Sequence, residues 1–179
     1  YVKADDYYNP IAPDVTVSGS KEMADAIVRR LFDKGITNVQ SRHNSASNAV
    51  VRIDVRNPGV TNFDFLAGIP VKSLILRGTR GMDLSILTSL PLQALDLADA
   101  RGVSDLTPLQ GLKLKRLNIA GTAVTNISPL LNMPLEELVM GGGLEDAPVD
   151  DIAPLKGMPL KMLIMCQTKV RDLSPLKGA

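Results

Sequence analysis

The stretch Leu92-Gln-Ala-Leu-Asp-Leu97, followed by Val103-Ser-Asp-Leu106-Thr-Pro-Leu109, decides how this chain folds. Leu95 and Leu97 bracket Asp96, a period of two that sends alternate side chains to opposite faces of a short strand. The second block carries Thr107-Pro108 and turns the chain back on itself. A unit this small has one apolar face and nothing to bury it against. Stacking on a similar unit supplies the missing wall.

Similar units are present. Six begin at Val50, Val71, Leu92, Leu114, Leu135 and Leu160, spaced by 21, 21, 22, 21 and 25 residues. In phase they open VVRIDV, VKSLIL, LQALDL, LKRLNI, LEELVM and LKMLIM. Each then carries a second apolar block, from Val60 to Phe63 in the first unit and from Val170 to Leu173 in the last. Self-similarity at this period is the mark of a solenoid. Leu95 and Leu97, Leu117 and Ile119, and Leu163 and Met165 point inward, with the residues between them outward. On the return path, Thr107-Pro108, Ser128-Pro129, Ala153-Pro154 and Ser174-Pro175 predict one helical turn each. There Ser or Thr serves as N-cap and Pro as the first helical residue. Pro134 and Pro159 end the turns that precede them.

The pattern L-x-x-L-x-L-x-x-T-x-V-x-D-L-S-P-L-x-G-M-P resembles the short SDS-type leucine-rich repeats, the class that includes the internalin repeats. It is most similar to the S-P-L-K-G-M-P variants of bacterial repeat proteins. The resemblance covers about residues 50–179. It implies an α/β solenoid with a curved parallel sheet, short convex helical turns and binding on the concave face, without naming a partner. One feature departs from the class. The usual Asn after the strand is replaced by Thr79, Thr122 and Thr168, and by Ala100 and Gly143. A Thr hydroxyl has one donor where an Asn amide has two, so the ladder between turns is expected to be weaker. The column Asn62, Asp83, Asp105, Asn126, Asp151 and Asp172 is expected to compensate through Asx-type bonds to backbone N–H groups. A metal-binding stripe is the competing reading of that column, and it needs several converging oxygens. We expect no metal and no cofactor.

Ahead of the repeats, Asp14–Val17 reads as a strand, and Ser20 caps a helix with the apolar stripe Met23, Ala24, Ile27, Val28, Leu31 and Phe32. Gly35 stops the helix and Ile36–Val39 reads as a second strand. Residues 14–49 thus form an expected β-α-β cap over the first repeat, with an independent small domain as the alternative. Residues 1–13 read as a linker or tail. The last unit carries no cap: either the natural protein continues, or the open end takes a partner, including end-to-end pairing with another copy. The chain opens on Tyr1, which a removed leader and a shortened chain explain equally. A secreted or cell-envelope location is favoured over a cytoplasmic one.

Composition agrees with a layered aliphatic core. Apolar residues make up 45% of the chain, aromatics 3%, and Trp is absent. A net charge of +1, spread evenly over both parts, gives no basic block for nucleic acid or an anionic membrane. No apolar run is long enough to span a bilayer. Catalysis finds little support. The single His43 sits in the polar run Ser41–Asn48 without a Cys or acid nearby. Cys166 shares its repeat position with Ala98, Ala120 and Gly141, which reads as a need for small residues. The run Gly141-Gly-Gly143 lacks the strand, helix and Lys of a phosphate loop, and is expected to release the chain into a four-residue insertion.

The outward strand positions remain as the candidate site, giving a non-catalytic scaffold for a protein or peptide partner. The candidate contact residues are Val139, Ile164, Met162, Cys166, Ala120, Asn118, Asp96, Ile75, Arg56 and Arg77. Val139, Met162 and Ile164 are expected to form an exposed apolar patch of the kind that marks interaction sites. The alternative is a structural spacer that docks other domains of a larger protein.

Overall fold

The structure is a computed structural model that describes residues 25–26, 29, 39–41, 52–55, 66, 71–80, 83–142 and 147–177. Among the described residues, seven strands form one sheet in chain order: β1 Val39–Ser41, β2 Arg52–Val55, β3 Ser73–Ile75, β4 Ala94–Asp96, β5 Arg116–Asn118, β6 Glu137–Val139 and β7 Met162–Ile164. Strands β2 to β7 are parallel throughout, in one register that pairs Leu74, Leu95, Leu117, Leu138 and Leu163 in succession. That row is the sequence period made visible. Parallel neighbours need a return path between them, and here the second apolar block of each unit provides it.

The strands are shorter at their C-terminal ends than the sequence pattern suggests, because the backbone turns soon after the third residue. Pairing between units continues past that point: the Leu76 N–H donates to Asp96 O and the Leu97 N–H to Asn118 O. Of the expected strand at Ile36–Val39 only Val39 is described; it opens β1, Val39–Ser41, which is antiparallel to β2. Asp25, Ala26 and Arg29 are helical, within the expected cap helix. The expected strand at 14–17 and the tail at 1–13 lie outside the described residues.

The return path holds short 3-10 turns at Leu84–Ser89, Thr107–Leu109, Ser128–Leu130, Ala153–Leu155 and Ser174–Leu176. Ser or Thr is not their N-cap, contrary to the sequence expectation. It is the first residue of the turn, with Pro second. The cap acceptor stands two residues earlier, in the Asp/Asn column. Asp83 Oδ1 accepts from Ser85 N, Asp105 Oδ1 from Thr107 N, and Asn126 Oδ1 from Ser128 N. Asp151 and Asp172 repeat the bond to Ala153 N and Ser174 N. This tighter arrangement suits a return path too short for a full α-turn. The Thr column acts locally as well: Thr79, Thr122 and Thr168 hydroxyls donate to the carbonyls of Leu76, Ile119 and Met165. Each closes its own turn.

Between sheet and turns lies one continuous aliphatic core. Its layers repeat, as in Leu92, Leu95, Leu97, Val103, Leu106 and Leu109, then Leu114, Leu117, Ile119, Val124, Ile127 and Leu130. Among the described residues, no helix is long and apolar enough to cross a membrane.

Candidate binding face

The outward sheet positions begin from simple alternation. Leu74 and Leu76 belong to the core cluster and Ile75 does not; Leu138 and Met140 belong and Val139 does not. Direction therefore follows the sequence reading. Accessibility does not. Ile75 and Val139 are 1% exposed, and Asp96 and Asn118 are 0% exposed. Ala120 is buried as well. The apolar patch expected from Val139, Met162 and Ile164 is thus corrected: Val139 is covered. Alternation tells which way a side chain leaves the strand, not what lies above it. Of the described candidate residues, Met162, Ile164 and Arg77 are half-buried and Cys166 is exposed. Arg56 lies outside the described residues.

The two buried polar residues are held by the same local device. Asp96 Oδ1 accepts from the Ala98 N–H at 2.9 Å, and Asn118 Oδ1 accepts from the Ala120 N–H at 3.1 Å. The side chain folds over its own strand and caps the N–H two residues on. Asp96 Oδ2 also takes the Arg77 Nε at 2.6 Å, across adjacent strands. The neighbouring Asn118 is less satisfied. Its Nδ2 is buried without a partner, as is the Ser73 hydroxyl. Each is a polar group of the outward face whose burial costs free energy until something bonds to it.

Alignment of the repeats also shows a charged rail that the candidate list omits. Gln93, Lys115, Glu136 and Lys161 occupy one position in successive units. Glu136 accepts from Lys161 Nζ at 2.6 Å and lies 3.2 Å from Lys115 Nζ. The hydrogen bond from Lys161, then that from Lys115, lowers the Glu136 pKa, and the same bond to Glu136 raises that of Lys161. The signal was present in the sequence as alternating charge at a fixed repeat position. Spacing alone could not say that these side chains meet.

In the outward column of Ala98, Ala120, Gly141 and Cys166, the expected need for small residues is clearest at Gly141. Gly141 is packed against the backbone of Met165 and Cys166, where an added Cβ would run into the Cys166 carbonyl oxygen. Gly142 follows in the left-handed region at φ 85°, and the chain rejoins the ladder at Ala147, whose N–H donates to Gln167 O. The expected release of the chain into an insertion falls on residues 143–146, which lie outside the described residues. Among the described residues, no group of three or more His, Cys, Asp or Glu is placed to hold a metal ion.

No family model matches the sequence, and no curated protein does. Among solved structures the chain is similar to an internalin from Listeria monocytogenes, at 20% identity and a TM-score of 0.59. The match covers 92% of this chain and 50% of the internalin, so the chain spans about half that protein's length. Together with the in-register parallel sheet and the repeated return turns, this likeness establishes the fold as a leucine-rich-repeat solenoid.

Proposed function

We propose that this protein is a non-catalytic scaffold that takes a protein or peptide partner on the outward, concave side of its sheet. The observation that carries the reading is the C-terminal end of that side. There Met162 and Ile164 remain half-exposed and Cys166 exposed, directly beside the buried Val139 of the neighbouring strand. An apolar, partly open strand face is a surface on which a partner gains burial area. The buried outward residues Ile75, Asp96, Asn118 and Ala120, with Arg77 at their margin, extend the same face toward the N-terminal units. A near-neutral charge favours a protein partner over nucleic acid. The location that goes with this reading is secreted or cell-envelope, and fractionation of the source cells tests it.

The binding experiment has two stages. Cross-linking on the source cells identifies a partner, and the purified partner is then titrated against wild type and Ile164→Asp. Ile164 is already half-buried, so its loss is set near the lower end of the usual range, about 1.5 kcal/mol, or about tenfold in affinity. Melting should be unchanged, because the side chain leaves the core. Equal affinity of both forms, with equal melting, rejects this face as the binding site.

A further inference from the structure

A recess of about 170 Å³ lies between the charged rail and the first residues of β5 and β6, lined by Gln93, Lys115, Arg116, Glu136 and Glu137. Its charges are unevenly satisfied. Glu136 is held by Lys115 and Lys161 from either side. Arg116 and Glu137 sit opposite one another in register on β5 and β6 and form no ion pair. No described residue pairs with the Arg116 guanidinium, and Glu137 Oε2 is buried without a hydrogen-bond partner.

A buried carboxylate oxygen without a donor is costly, and Arg116, opposite it on the neighbouring strand, forms no ion pair with it. The recess therefore presents a guanidinium fork and a carboxylate acceptor side by side. Its lining has no wholly apolar side chain, which selects against a hydrophobic occupant. We propose that this recess binds a small hydrophilic α-amino acid as its zwitterion. The ligand carboxylate takes the Arg116 fork, a pairing that favours two parallel hydrogen bonds, and the ligand ammonium donates to Glu137 Oε2. The Gln93 carboxamide stands at the wall to meet a polar ligand side chain. The rival arrangement is direct closure of Arg116 onto Glu137, which would leave no place for a ligand.

The intact chain is titrated with L-serine, with acetate and ethylammonium as single-charge controls, while backbone amide shifts are followed by NMR. Saturable shifts at Arg116 and Glu137 are expected, with serine bound at least about tenfold more tightly than either control. Arg116→Gln and Glu137→Gln should each weaken serine binding by about tenfold and leave the melting temperature unchanged. Absence of a saturable response to serine, or equal affinity for serine and acetate, overturns the proposal. If either variant fails to fold, the wild-type comparison of the three probes decides it.

Discussion

Backbone conformation at single residues separates the repeats that look alike in sequence. After each of β3 to β7 one residue adopts positive φ: Gly78, Asp99, Gly121, Gly142 and Gln167. Glycine takes this conformation freely, whereas an L side chain there costs about 1–2 kcal/mol. Gln167, at φ 59° and exposed, bears that cost without a described hydrogen bond from its side chain. Gln167→Gly should therefore raise stability by about 1 kcal/mol, measured by urea denaturation, and a loss of stability would contradict the turn geometry. Gly141 is the opposite case. A Cβ there would lie 2.7 Å from Cys166 N and from Met165 C, backbone atoms that cannot swing aside. Gly141→Ala should cost about 3 kcal/mol or more, or prevent folding. A variant as stable as wild type would show that the two backbones are not in close approach.

At the scale of the element, the return turns depend on one acceptor column. The Ser85 N–H lowers the Asp83 pKa from 3.8, and the Thr107 hydroxyl and N–H lower that of Asp105 from the same value. Asp172 is lowered in the same way by the Ser174 N–H. A carboxylate with a depressed folded-state pKa contributes stability above its unfolded value and loses that contribution as pH falls through the folded value. The turns should thus weaken below pH 3.8, and Glu136 should add its share below 4.5. Lys161, raised from 10.5, acts at the other limit: its contribution is present below that value and lost as pH rises through the folded value. Asp83, Asp105, Asp172 and Lys161 are exposed and Glu136 is partly exposed, so salt screens them and each effect is small. Asn126 already fills the same role without a charge. Asp105→Asn should accordingly retain the turn near neutral pH and reduce the drop in melting temperature on acidification to about pH 3. An undiminished drop would show that Asp105 is not a source of acid sensitivity.

Across the whole molecule, burial falls toward the C-terminal edge. Leu95, Leu117 and Leu138 are 1% exposed or less, whereas Met162, Leu163 and Ile164 are half-buried. In a solenoid each layer is stabilised by its neighbours, and the described layers differ in how far they are buried. Local opening should follow that gradient. Hydrogen exchange is expected to be slowest at the amides of Leu97 and Ile119, and faster by about tenfold or more at Met165 and Thr168. Uniform protection across these four amides would mean that the solenoid opens only as one unit. Exchange also bears on binding, since the partly accessible outward residues Met162 and Ile164 lie on β7. A partner that buries them should slow exchange there first.

The repeat, its phase and the inward rows from Leu74 to Leu163 could be read from residue order, because periods of two and about 21 are properties of the chain. The Asp/Asn acceptor column was readable for a similar reason: an Asx bond spans two residues and is local. What lay beyond reading is non-local. Alternation put Val139 on the outward face without revealing that it is covered, and Ser or Thr before Pro suggested a cap that the return path is too short to use. Repeat position aligned Lys115, Glu136 and Lys161, but their contact requires strands about 4.8 Å apart in one register. The unpaired Arg116 and Glu137 form the extreme instance: opposite charges in adjacent units would be expected to pair, and whether they do depends on three-dimensional packing around both side chains.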